Sequence, residues 1–226
     1  MTPWDAYDAY LFDIDGTLLN ATDAVHYFAF CEALTTLAGR PLNLDGVNAH
    51  GNVDNGILRD AFTLANIPDA QWRPRLAEIH QGMCAFVTRD QADLRLNVLP
   101  QVPEVLDHLR AKGAVLGVAT GNLEGIGRLK LARAGLLDRF HFGGFSDAHE
   151  YRHDVFKAAV EQARSLTSLD ANICVIGDTP VDIRAAQSNH LDVIAVATGI
   201  FSLEALQEAS PTRAVATLAE LLKPTA

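Results

Sequence analysis

Apolar and polar positions follow two regimes along this chain. The first is a short apolar run, Ala9-Tyr10-Leu11-Phe12, rich in strand formers and broken by the acidic turn Asp13-Ile14-Asp15-Gly16-Thr17. This predicts a buried strand that delivers two carboxylates to its carboxyl end. Helical periodicity then takes over. Asp23 is positioned to cap a helix running to about Ala38, with Val25, Phe28, Ala29 and Leu37 at apolar positions and Gly39-Arg40-Pro41 as its stop. A second stripe carries Ile57, Leu58, Ala61, Phe62 and Leu64, and a third, from Trp72 to Val87, carries Leu76, Ile79, Met83 and Phe86. No strand pattern occurs between about Asn20 and Leu96, so an all-helical block is expected there.

The join Val98-Leu99-Pro100-Gln101-Val102-Pro103 reads as a hinge or domain boundary. Beyond it strands and helices alternate. The expected order begins with a helix near Val105 to Ala111, the strand Ala114 to Thr120, a helix near Ile126 to Ala134 and a short strand near Phe140. It continues with a helix from about Asp154 to Ser165, the strand Ile173 to Gly177, a helix near Pro180 to Gln187, the strand Val193 to Ala197 and a closing helix at Ala216 to Leu222. Such alternation implies an α/β fold, a Rossmann-like doubly wound parallel sheet covered on both faces. The expected division is a core of residues 1–19 and 97–226 with an inserted helical block of residues 20–96.

Ligands of such sheets bind outside the carboxyl ends of the strands. Three predicted strands end in suitable groups: Asp13 with Asp15, Thr120 with Gly121 and Asn122, and Asp178 after Gly177. Two like charges one residue apart repel, and desolvating them costs free energy unless a cation neutralises them. Carboxylate, carbonyl and water ligands suit Mg2+.

The segment Asp13-Ile14-Asp15-Gly16-Thr17-Leu18 resembles the first motif of the haloacid dehalogenase superfamily of phosphohydrolases. Gly177-Asp178-Thr179-Pro180-Val181-Asp182 is similar to its fourth motif, and Thr120-Gly121-Asn122 resembles the second. The helical block after the first motif is like the family's helical cap, in a phosphoglycolate phosphatase-like arrangement. The resemblance implies that Asp13 attacks phosphorus and that Asp15 serves as acid and base. It implies that Thr120, Gly121 and Asn122 hold the phosphoryl oxygens, and that Asp13, Asp178 and a backbone carbonyl of Asp15 ligate Mg2+ with Asp182 in support. The third motif should supply a cation, and here the sequence departs from the commonest pattern of lysine followed by proline. Arg152 is the choice and Lys157 the fallback. In the cap loop His50-Gly51-Asn52-Val53-Asp54, Asn52 or Asp54 is expected to contact the leaving group; capping of a helix amino terminus is the plainer role for either.

The same region holds a competitor. His149-Glu150-Tyr151-Arg152-His153 satisfies the His-Glu-x-x-His pattern of zinc peptidases. It is rejected because it lies at a loop-to-helix junction and lacks a third ligand at the usual spacing. The expected function is therefore a Mg2+-dependent phosphatase acting on a small phosphorylated metabolite, phosphoglycolate being one candidate. Asp15 argues against a dehalogenase. A phosphomutase of the same superfamily is the alternative, and a non-catalytic phosphometabolite-binding protein is a weaker one.

Composition narrows the partners. With 18 basic and 28 acidic residues the formal charge is −10, which argues against nucleic acid and anionic lipid and means that an anionic substrate must be drawn in by local positive charge. Cys31, Cys84 and Cys174 are widely spaced in apolar contexts, poor material for a disulfide framework or a zinc site. No segment approaches the roughly 20 apolar residues of a membrane span. The expectation is a cytoplasmic protein, monomer or homodimer.

Overall fold

The structure, a computed structural model, describes residues 2–223. The chain begins with β1 (Ala9–Phe12), buried along its whole length, and leaves the sheet through β2 (Leu19–Ala21). Next come α1 (Val25–Ala38), α2 (Asp54–Leu64), α3 (Asp69–Trp72) and α4 (Leu76–Arg89), before β3 (Leu96–Val98) brings the chain back. The remainder alternates: α5 (Val102–Ala111), β4 (Val115–Ala119), α6 (Glu124–Arg133), β5 (Phe142–Gly144), α7 (Arg152–Leu166) and β6 (Ile173–Gly177). It closes with α8 (Pro180–Ser188), β7 (Asp192–Val196), α9 (Leu203–Glu208) and β8 (Arg213–Val215).

Six strands form one parallel sheet in the order β5-β4-β1-β6-β7-β8. The chain winds outward from β1 to β5, crosses back, and winds the other way from β6, so the switch point of this Rossmann-like sheet lies beside β1. Alternate residues of β1 face opposite layers. Tyr10 and Phe12 pack with Leu116, Val118 and Ile176 beneath Val105, Leu106 and Leu109 of α5. Leu11 and Val175 pack on the other side against Phe156 and Ala159 of α7 and Ile183 of α8. Each large apolar side chain buried this way contributes roughly 1.5–3 kcal/mol.

The helical block has its own core, built on Phe30, Leu34, Leu58, Phe62, Trp72 and Met83. Leu123 and Ile126 at the start of α6 join that core from the sheet side, which seats the block over the carboxyl ends of the strands. Its two connections pair with each other as an antiparallel ribbon, Leu19 opposite Val98 and Ala21 opposite Leu96. Asp23 fastens the ribbon's end: Oδ1 accepts from the Val25 amide at 2.9 Å and Oδ2 from the Arg95 amide at 2.7 Å.

The structure corrects the sequence reading in several places. β2 and β3 reach into the stretch expected to lack strands; at three residues each they have no periodicity and exist only because they find one another. The third helical stretch is α3 and α4 separated by a 3-10 turn at Arg73–Arg75, which contains Pro74. The strand expected near Phe140 begins at Phe142. The closing helix is instead β8 followed by a single 3-10 turn, Leu218–Glu220, and α9 was not anticipated because it buries only Leu206. Among the described residues no helix is long and apolar enough to cross a membrane, and all three cysteines are free.

Candidate active site

Phe12 is in register with Val118 on one neighbour and Ile176 on the other, so the residues just past these strands emerge side by side. Asp13, Thr120 and Asp178 thereby meet at the floor of a cavity of about 590 Å³ roofed by the helical block. Gly16 makes the close approach possible. Its φ is +85°, and a Cβ there would overlap the Asp178 carboxylate.

Arg152 is the first residue of α7 and points inward from a helix start whose preceding residue, Tyr151, is extended. Its Nη2 lies 2.7 Å from Asp13 Oδ2 and its Nε 2.6 Å from Asp182 Oδ1. These are close ion pairs without aligned hydrogen bonds. Burial disfavours the guanidinium charge, but Asp13 and Asp182 outweigh it and hold Arg152 more firmly protonated than usual. Asp182 is wholly buried, and its Oδ2 accepts from the Thr179 amide at 3.0 Å and the Thr179 hydroxyl at 2.7 Å. The Asp182 amide in turn donates to Thr179 Oγ1 at 3.1 Å, closing a capping box at the start of α8. Asp182 thus links Arg152, through Oδ1, to the α8 terminus, through Oδ2.

Carboxylate oxygens of Asp13, Asp178 and Asp182 lie within 4.8 Å of one another. One guanidinium cannot offset three buried carboxylates. Burial, with repulsion from Asp182 and Asp15 and against the pull of Arg152, pushes the Asp13 carboxyl up to about 6. Burial and the charges of Asp13 and Asp182 push Asp178 up to about 8. Two carboxylates in excess, facing an open cavity, have the charge and the hard oxygen donors that suit a divalent cation such as Mg2+.

Asp15 points the other way. Lys130 Nζ donates to its Oδ1 at 2.9 Å and Oδ2 at 2.7 Å, and Asn122 Nδ2 donates to Oδ2 at 2.8 Å. Burial would raise this carboxyl, but Lys130 and Asn122 hold it below the ordinary range. Asn122 is fixed on both ends, its Oδ1 accepting from Lys130 at 2.8 Å and its Nδ2 donating to Thr120 Oγ1 at 2.8 Å. The Asn122 side chain is therefore committed to Asp15, Lys130 and Thr120, while Thr120 and Gly121 line the cavity beside it.

The helical block closes directly on this edge. The Asp54 amide donates to the Gly121 carbonyl at 2.8 Å, and Asp54 Oδ2 accepts from the Leu123 amide at 2.8 Å and lies 3.2 Å from His26 Nε2. His26 Nδ1 lies 3.4 Å from Lys130 Nζ. Asn52 Nδ2 donates to the Asn48 carbonyl of its own loop and to Asp60 of α2, while still lining the cavity. Neither Asn52 nor Asp54 caps α2 with its side chain.

Lys157 is exposed on α7 and is not among the residues that line the cavity. His149 and Glu150 lie in the loop before α7 while His153 is on the helix, so the His-Glu-x-x-His stretch does not present one face. Glu150 instead receives Arg73 and Arg59 from the helical block. Sequence reasoning missed Lys130 and His26. The signal for Lys130 was available: it shares the buried stripe of α6 with Ile126, Gly127 and Leu131, a lysine at an apolar position. His26 carried no comparable signal, since its role comes from the seating of α1 over α6.

Comparison with known proteins identifies the family and the fold. The haloacid dehalogenase-like hydrolase family matches residues 7–190. A phosphoglycolate phosphatase of Cereibacter sphaeroides is 30% identical over 184 residues, 79% of each chain. Among solved structures, a hydrolase from Pseudomonas syringae superposes with a TM-score of 0.69 over 95% of this chain and 96% of its own, at 20% identity. CbbY from Rhodobacter sphaeroides, solved in complex with phosphate, gives 0.63 over 96% of both chains, also at 20% identity. At such identity the two structures speak for the fold.

Proposed function

Because the chain belongs to the haloacid dehalogenase-like hydrolases, we propose that it is a Mg2+-dependent phosphatase that hydrolyses a small organic phosphate monoester through an aspartyl phosphate on Asp13. The observation that carries the reading is the pair Asp13 and Asp15, each held by its own cation, Arg152 and Lys130, beside the excess charge of Asp178. Three free cysteines suit a reducing, cytoplasmic setting.

Asp13, Asp178 and the main-chain carbonyl of Asp15 would hold the ion. When bound there, Mg2+ would supply positive charge that offsets repulsion between Asp13 and an incoming dianion. Asp13 attacks phosphorus as the bond to the leaving oxygen breaks, and that oxygen takes its proton from Asp15, which enters this step as the acid with a proton taken from solvent or from the incoming monoester and recovers it from water in the second step. Asp15, now a carboxylate, removes a proton from water; the water oxygen attacks phosphorus, and phosphate leaves Asp13 free. Thr120, the Gly121 backbone and Arg152 bind the phosphoryl oxygens throughout. Lys130 favours the Asp15 carboxylate, the state that the second step requires. Closure of Asn52 to Asp54 over Gly121 excludes water from the first step.

The test is phosphate release from a generic aryl phosphate and a metabolite panel, with and without Mg2+, by the wild type and Asp13→Asn. Metal-dependent turnover lost in the variant supports the reading, and turnover that survives Asp13→Asn overturns it.

A further inference from the structure

The walls of the active cavity carry information about the leaving group. Its floor is charged, while its walls carry an apolar set, Tyr27 and Phe30 of α1, Leu44 of the loop after it, Ile57 of α2 and Ile200 of the loop after β7, interspersed with the uncharged or neutral-capable His26, His50, Asn52 and Thr198. Two of these are large hydrophobic side chains left open to solvent, Tyr27 at 40% and Ile200 at 65% exposed, one on α1 and the other in the loop after β7. Exposed apolar side chains cost free energy unless something covers them, and here they border a cavity whose volume lies within the roughly 300–1,000 Å³ of sites that enclose drug-sized ligands.

The charge inventory points the same way. Among the described residues the cavity is lined by four carboxylates, Asp13, Asp15, Asp54 and Asp178, and by two permanent cations, Lys130 and Arg152. Both cations are already engaged, Arg152 by Asp13 and Asp182 and Lys130 by Asp15. A divalent ion at the carboxylates and a phosphoryl dianion cancel one another, so the balance elsewhere is unchanged. The helical block adds no lysine or arginine to the lining; besides Asp54 its polar groups there are His26, already turned to Asp54 and Lys130, and Asn20, Thr22, the Tyr27 hydroxyl, His50 and Asn52. A carboxylate on the leaving group would enter an already anionic cavity with no free lysine or arginine to receive it.

Resting on the phosphatase reading above, we infer that the preferred substrate is the phosphate monoester of an uncharged alcohol with an apolar or aromatic portion, and that phosphorylated carboxylic acids such as phosphoglycolate are disfavoured. Tyr27 and Ile200 are specificity-determining residues, covering the apolar portion as it enters.

The experiment compares kcat/KM for 2-phenylethyl phosphate, ethyl phosphate and phosphoglycolate in the wild type and in Ile200→Arg, whose exposed position tolerates the substitution. The expected order is 2-phenylethyl over ethyl phosphate by about 10- to 200-fold, the range for added apolar contact in a pocket, with phosphoglycolate lowest. Ile200→Arg should shift the phosphoglycolate to 2-phenylethyl phosphate ratio upward by about tenfold or more, the effect of one new opposite charge. Phosphoglycolate equal to or better than 2-phenylethyl phosphate, or an unchanged ratio in Ile200→Arg, would overturn the inference while leaving a phosphatase. Absence of turnover on all three and on 4-nitrophenyl phosphate would instead remove the phosphatase reading beneath it.

Discussion

Lys130 Nζ lies 2.7 Å from Asp15 Oδ2 and, at 3% side-chain exposure against 40% for the aspartate, is the more deeply buried partner of the pair. A buried ammonium needs acceptors, and this one has both Asp15 oxygens and Asn122 Oδ1. The lysine therefore fixes the aspartate's position as well as its charge. Lys130→Met, close in volume, is expected to lower kcat by about 10- to 100-fold, part of what positioned acid–base catalysis supplies, with a much smaller change in KM. Steady-state kinetics on one good substrate checks this, and a change confined to KM would contradict it.

Arg152 makes a different prediction, because both of its partners are buried. Arg152→Met leaves Asp13 and Asp182 without their cation and should destabilise the fold by about 3–5 kcal/mol in urea titration. Arg152→Lys keeps the charge but lacks the planar fork that reaches Asp13 and Asp182 together, so activity should fall although more stability is retained. Equal activity for arginine and lysine would show that the bridge to Asp182 is dispensable.

Asp178 links stability to pH and to metal. Its carboxyl, pushed up to about 8 in the folded state by burial and by Asp13 and Asp182, takes up a proton on folding wherever the unfolded chain is already ionised. The sign follows: in metal-free protein this group's contribution falls as pH rises from the ordinary carboxylate range through about 8. Asp178→Asn should raise the metal-free Tm, more so at the alkaline end, and should abolish the Tm increase that Mg2+ gives the wild type. Thermal melts across pH with and without Mg2+ test both parts.

Gly121 tests closure. A Cβ at this position would lie 2.5 Å from the Asn52 carbonyl oxygen and 3.1 Å from both Arg152 Nη1 and Val53 Cα. Gly121→Ala should therefore hold the helical block away from the sheet edge and lower kcat by about tenfold or more, since misplacement on the order of 1 Å is costly, with the sheet core intact. Small-angle scattering should report a larger radius of gyration, and an unchanged scattering curve with normal kcat would refute the seating described above.

These residues also mark how far the sequence could be read. β6 was legible to the residue because Ile173 to Gly177 is a continuous apolar run ended by glycine, and α8 because Thr179 and Pro180 signal a helix start in any context. Asp13, Asp15, Thr120 and Asp178 could be expected at one sheet edge because parallel strands put their carboxyl ends together. What sequence could not give was pairing. Arg152 could be chosen as the cation beside Asp13 through the resemblance, but its bridge to Asp182, Lys130 for Asp15 and the Asn122 side chain for Asp15 over a phosphoryl group depend on how α6 and α7 rotate against the sheet. β2 with β3, and β8 at the sheet's edge, are three-residue strands defined only by their neighbours.

The central claim is a covalent phosphoryl group on Asp13, and acid-quenched single turnover followed by peptide mass analysis addresses it most directly. With Mg2+ and a substrate in hand, the peptide containing Asp13 should gain the mass of one phosphoryl group early and lose it as phosphate appears, and Asp13→Asn should show neither. Phosphate release without that adduct, or an adduct on another residue, would contradict the account.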